Sequence, residues 1–275
     1  MAARPAANGI AHLTFARREE TTFLARVFQK GALRVFRPRA EADDCMGAVL
    51  LNTSGGIVGG DMLEVSVDVA AGSVASVTSQ AAEKAYRSAG PDAGVDVHLN
   101  LKDGACLEWL PQETILFDGA RLRRRLRADL EADARLLAAD MLVFGRIARG
   151  ERFQSGLLHD RFEIRIGGRL AWADALRLAP HPGRLIEAPF GAGGAGALAT
   201  CVYVGQDAKE RLALARALVD RPGVRSGATC IASVLIVRFM AEDPAAARQA
   251  LQRFCARFRH EVAGLPERMP AIWRS

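Results

Sequence analysis

Apolar and polar positions alternate from Leu63 to Val69, with Leu63, Val65, Val67 and Val69 on one side and Glu64, Ser66 and Asp68 on the other. That two-residue period predicts a half-buried strand. Ala70-Ala71-Gly72 reverses the chain, and Val74, Ala75 and Val77 bring it back to a polar zone of Thr78, Ser79, Gln80, Glu83, Lys84, Tyr86 and Arg87. The unit recurs. Val95, Val97, Leu99 and Leu101 alternate before a Lys102-Asp103-Gly104 turn, and Cys106 to Leu110 returns to Gln112 and Glu113. Leu126 and Leu130 precede a turn at Asp133 and a return to Asp140, while Phe162, Ile164 and Ile166 precede Gly167-Gly168 and a return to Asp174. Turns spaced about 30 residues apart predict a degenerate internal repeat. The fold class expected is mainly β, a solenoid-like stack of β-hairpins of the β-helix type.

The flanks read differently. Residues 1–11 are Ala-rich and expected to be disordered. Leu13 to Val35 holds short strand-like runs, and Ala48 to Leu51 is a short apolar strand. Residues 200–265 carry about two α-helices: Ala208 to Val219, and a second opened by an Asp243-Pro244 cap with Ala247, Leu251, Phe254, Cys255, Phe258 and Val262 on one face. Thr229 to Met240 between them reads as one continuous apolar strand. Residues 1–275 are expected to form a single domain.

Ahead of the first repeat stand Gly55, Gly56, Gly59 and Gly60, closed by Asp61. A phosphate-binding loop would need Lys where Asp61 stands, followed by a helix rather than a strand. Gly191, Gly193 and Gly196 match a dinucleotide motif by spacing but precede a strand-like run, so that match carries no weight. The glycine loop is therefore expected to be a tight structural turn.

Composition narrows the partners. Half of the residues are apolar and a quarter charged, the balance of a soluble globular chain. A net charge of +6, carried almost wholly by Arg, favours acidic partners through steering. The basic run at 121–127 has no interleaved aromatics, and Leu122 and Leu126 interrupt it at even spacing, so an exposed strand face is expected and no nucleic-acid partner. No signal peptide and no membrane span are read, and five scattered cysteines are expected to be reduced thiols of a cytoplasmic protein.

Each return strand ends in a polar or acidic group, Gln80/Glu83, Gln112/Glu113, Asp140 and Asp174. Stacked in register, such groups would form a ladder able to make weak successive contacts with a divalent cation. The alternative is that strand ends meet solvent and are polar for that reason. The five histidines lack metal-binding spacing, so no permanent metal site is expected. No nucleophile motif occurs. An enzyme is not expected; the alternative is an acid–base enzyme using Asp61 and Glu83 in a glycine-lined pocket. Tyr86, Arg87, Arg146 and Glu151 are read as structural or interfacial, with a buried Glu–Arg pair in GRIARGERF.

The run GGIVGGD followed by TSQAAEKAYRS resembles the signature of the UreD (UreH) family of urease accessory proteins. WLPQETILFDGARL, ADMLVFGRIARGERFQSG, DRFEIRIGGRL and the terminal PAIW extend the resemblance from about Leu13 to Trp273. Asn52-Thr53-Ser54 departs from the family's usual His-Pro-Pro, and Glu83 replaces a usual Thr. The resemblance implies a chaperone-like scaffold of mostly β, helical-solenoid fold. It implies binding to urease apoprotein and to a UreF-like protein, which recruits a UreG-like GTPase. It also implies transient Ni(II) passing through the protein, with no permanently bound cofactor. Asp61, Asp140 and Asp174 are the passage-lining acids it suggests, with Glu83 and Glu113 as weaker candidates.

Overall fold

The computed structural model describes residues 6–39, 43–220 and 222–274. β1 (Asn8–Arg18), β2 (Thr21–Gly31), β3 (Leu33–Phe36) and β4 (Met46–Asn52) open the chain. Three coils follow: β5 (Met62–Val69), β6 (Val74–Ser79) and β7 (Glu83–Ala85); β8 (Ala93–Leu101), β9 (Cys106–Leu110) and β10 (Thr114–Leu116); β11 (Arg121–Leu130) and β12 (Arg135–Val143). β13 (Leu157–Ile166) and β14 (Arg169–Leu178) come next, then α1 (Pro182–Glu187) and β15 (Ala197–Val204). α2 (Leu212–Val219), β16 (Arg225–Ile231), β17 (Val234–Ala241) and α3 (Pro244–Ala263) complete the order.

The strands form a β-solenoid of about four turns. One sheet runs β14-β13-β11-β8-β5-β1-β2, and the other runs β16-β17-β15-β12-β9-β6-β4-β3. The expected solenoid is present, but its unit is a coil and not a hairpin. β5 and β6 lie in different sheets, and each pairs in parallel with the matching strand of the next coil. Alternation marks a half-buried strand without saying whether its partner is the next strand or the next repeat. Only the last unit, β13–β14, is an antiparallel hairpin as expected.

Strand pattern follows from which faces are covered. β5 buries Leu63, Val65, Val67 and Val69 between the sheets, and its other face meets solvent. β12 is buried almost throughout because both of its faces are covered. Leu136, Ala138 and Leu142 enter the inter-sheet core, while Leu137, Ala139, Met141 and Val143 enter a second core under α2 and α3. In that second core Phe254 stacks on Phe258 at 5.0 Å, and Tyr203 meets Phe258 edge-on at 5.3 Å.

α3 starts and stops where its residues dictate. The Asp243 carboxylate accepts the Ala245 N–H at 2.9 Å, Pro244 fills the first turn, and Gly264 closes the end at φ 64°. The expected face of Ala247, Leu251, Phe254, Cys255, Phe258 and Val262 is the one buried.

Three other expectations change. Residues 8–11, placed in a disordered terminus, begin β1, where Ala11 is fully buried and β5 pairs alongside; residues 1–5 lie outside the described residues. The run Thr229 to Met240 is two strands, β16 and β17, broken where Ala232 takes φ 51° without the Gly or Asn that usually marks such a turn. The helix expected from Ala208 begins at Leu212, and α1 is an additional short helix.

Candidate functional site

The glycine loop is braced by backbone. Ile57 donates its N–H to the Lys84 carbonyl at 2.7 Å and receives the Tyr86 N–H at 2.8 Å, and the Tyr86 hydroxyl donates to the Gly55 carbonyl at 2.9 Å. Gly55, Gly56 and Gly60 have positive φ, as expected of a tight turn. Gly59 is required for space instead, since a Cβ there would lie 2.1 Å from the Ser88 hydroxyl. Asp61 is 1% exposed, and its carboxylate ties the loop to the segment before β1, accepting the N–H of Ala7 at 2.6 Å and of Val58 at 2.9 Å.

Beside the loop, a cavity of about 330 Å³ opens between the two sheets. Asn52, Glu83 and Lys84 line it near the glycines, and Asn52 donates to Glu83 at 3.1 Å. Burial pushes the Glu83 carboxyl above its ordinary range, against the opposing pull of Asn52 and of the Lys84 N–H.

The cavity extends along the coils. Leu63, Val95, Arg124 and Asp160 are register neighbours on β5, β8, β11 and β13, and all four line it. Asp140 of β12 faces them from the second sheet, within reach of Arg124. Asp140, Asp160 and Phe162 also line a second cavity of about 100 Å³, which reaches Asp174 and Arg238.

Arg124 joins the two sheets at this junction. Its Nε donates to Asp160 Oδ1 at 3.2 Å, and Nη2 donates to Asp160 Oδ2 at 2.6 Å and Asp140 Oδ2 at 2.5 Å. Nη1 donates to Asp140 Oδ1 at 3.1 Å and to the Thr114 hydroxyl at 3.0 Å. All five guanidinium N–H groups are thereby placed. The Arg124 side chain is only 12% exposed. Burial pushes the Asp160 carboxyl upward, with Arg124 pulling the other way. Further along, Arg238 of the second sheet bridges back to Asp174 of the first.

Of the five acids expected along a passage, Glu83, Asp140 and Asp174 line one or both of these cavities, whereas Asp61 and Glu113 line neither. Glu113 faces α3, where both carboxylate oxygens accept Nη1 of Arg248 at 2.7 and 2.8 Å. Asp160, Arg124 and Arg238 were missed. Arg124 carried a signal, since it sits between Leu122 and Leu126 at a period of two and shares their inward face. The rest of the basic run fits the exposed face expected, with Arg121 and Arg123 bridging Asp92 and Arg125 bridging Glu163.

Tyr86, Arg87, Arg146 and Glu151 converge on Phe117 and Asp118. Tyr86 meets Phe117 edge-on at 4.8 Å, Arg146 lies over the same ring at 4.6 Å, and Arg87 bridges Asp118 at 2.8 Å. The Arg146–Glu151 pair exists, but with Arg146 41% exposed it is not the buried pair expected. Solvent reaches this ring of charges because it lies outside the coil.

Thiols are poor candidates for holding a cation here. Burial pushes the Cys106 thiol up to about 12 and the Cys45 thiol well above its ordinary value, which disfavours the thiolate. Among the described residues, no three His, Cys, Asp or Glu side chains gather into a group that could hold a metal ion. Nor is any described helix long and apolar enough to cross a membrane.

The solenoid thus holds two cavities whose walls share Asp140, Asp160 and Phe162, with Arg–carboxylate bridges running from one sheet to the other. The family described as UreD urease accessory protein matches residues 7–274, and the chain belongs to that family. It is 42% identical over 278 aligned positions to "Urease accessory protein UreD 2" of Methylorubrum populi, covering 99% of this chain and 92% of that protein. It is 41% identical over 247 positions to "Urease accessory protein UreD" of Azorhizobium caulinodans, covering 90% and 89%. With "Urease accessory protein UreD" of Brucella suis it shares 40% identity over 261 positions, covering 94% and 93%.

Proposed function

We propose that this protein is a cytoplasmic, non-enzymatic scaffold of urease maturation that conducts Ni(II) to urease apoprotein. It docks the apoprotein and a UreF-like protein, through which a UreG-like GTPase supplies the ion. The observation that carries this reading is a pair of neighbouring cavities that share Asp140 and Asp160 in their walls, with Glu83 lining one and Asp174 the other. Carboxylate oxygens and water hold a divalent cation of this kind weakly enough to pass it on, where thiolates or an imidazole cage would retain it. The acid–base enzyme alternative loses support because Asp61 is turned to backbone N–H groups and does not share the cavity with Glu83.

The test is co-expression of urease with its accessory proteins and either the wild-type chain or Asp140→Asn/Asp160→Asn. Loss of most urease activity and nickel with the double variant, while the complex still co-purifies, is the expected result. Full nickel loading by the double variant would overturn the route.

A further inference from the structure

We infer that Arg124 is a tethered gate on the interior route, an internal cation that occupies the Asp140–Asp160 pair until a divalent ion displaces it. This rests on the proposed passage and adds its control. Asp140 and Asp160 line both cavities, so the pair stands at their junction. Arg124, lining the larger cavity, fills that junction with every N–H placed and bridges one sheet to the other.

Charge arithmetic makes the bridge exchangeable. Two carboxylates and one guanidinium leave one negative charge in a site largely shielded from water, whereas a divalent cation neutralises the pair completely. The displaced guanidinium keeps Thr114 as a hydrogen-bond partner and has the cavity of about 330 Å³ to move into. When the ion leaves, Arg124 returns and expels any tendency of the two acids to retain a second one. The arginine thus converts a dicarboxylate trap into a relay. Its role is positioning and competition, with no bond made or broken.

The experiment uses the purified full chain and Ni²⁺ itself as the probe, in equilibrium dialysis, beside the urease-activation assay. Arg124→Gln frees both carboxylates, so it is expected to bind one Ni²⁺ at least about tenfold more tightly than wild type. Adding Asp140→Asn to that variant should abolish the gain. In the activation assay, Arg124→Gln should leave more nickel on the scaffold and less in urease. Arg124→Lys, which keeps the charge but cannot bridge both acids in a fork, should fall between the two and serves if the Gln variant does not fold. Wild-type nickel affinity in a folded Gln or Lys variant overturns the gate and leaves the passage standing. Full activation of urease by the Asp140→Asn/Asp160→Asn chain overturns the passage and the gate with it.

Discussion

Arg259 of α3 and Glu108 of β9 form a bidentate ion pair at 2.7 and 2.8 Å, across 151 residues of sequence and with almost no solvent contact. Asp44 adds a second carboxylate, and the carbonyls of Pro266 and Arg268 take the remaining donor capacity at 3.0 and 2.8 Å. The cluster pins the C-terminal helix and the segment after it to the second sheet. Arg259→Met strands Glu108 as a buried unpaired charge, and the expected loss is about 3–5 kcal/mol. Arg259→Met/Glu108→Leu removes the stranded charge and should recover much of that loss. Urea unfolding midpoints of the single and double variants check both.

Gly55 and Gly56 should respond very differently to the same substitution. A Cβ on Gly55 meets nothing within 4 Å, so Gly55→Ala bears only the cost of its positive φ, about 1 kcal/mol. On Gly56, at φ 141°, a Cβ would lie 2.3 Å from the Tyr86 ring and 2.7 Å from the Lys84 carbonyl. Gly56→Ala is expected to cost roughly 3 kcal/mol or more, and to disturb the wall of the cavity beside Glu83. Thermal melts of the two variants measured together test the contrast.

Glu83 makes stability fall as pH rises. Burial holds its carboxyl above the ordinary range, so over a window the folded chain keeps a proton that the unfolded chain has lost. Its contribution is fully present below the unfolded carboxylate range and is lost as pH rises through the raised folded value. Glu83→Gln keeps the shape and removes the charge. It is expected to melt higher than wild type above that window and equally below it, in scans from about pH 4 to pH 8.

Asp118 has the opposite sign. Burial pushes its carboxyl up, but the N–H and hydroxyl of Ser155, the N–H of Gln154 and the Arg87 guanidinium outweigh it and hold the carboxyl below the ordinary range. That contribution is present above the unfolded carboxylate value and is lost as pH falls through the lowered folded one. Asp118→Asn is therefore expected to cost about 1–2 kcal/mol at neutral pH. The gap should narrow by about pH 3 in urea titrations of both chains.

Much of this architecture is legible one strand at a time. The period of two in Leu63 to Val69 and in Val95 to Leu101 announces strands whose inward faces are those found. Asp243-Pro244 and the apolar face from Ala247 to Val262 define α3 to its first residue. The glycine loop announces a tight turn, because glycine takes positive φ without the steric cost other residues bear. These signals are local, and local sterics and burial decide them.

The amino-acid sequence by itself therefore determined most of the solenoid's strands and turns, the long helix and the recurrence that makes a solenoid. It also carried the family signature that spans the chain. Tertiary structure alone decided which arms pair, since parallel pairing of β5 with β8 joins residues about 30 positions apart that no local period connects. It likewise decided the fate of each acid. Asp61 stands just before β5 and accepts backbone N–H groups from Val58 of its own loop and from Ala7, whereas Asp140, inside β12, meets an arginine across the gap between two sheets. Register brings Arg124 beside Asp160, and the packing of one sheet on the other brings it to Asp140. An electrostatic partner is a matter of distance in space, and that distance exists only once the coils have closed.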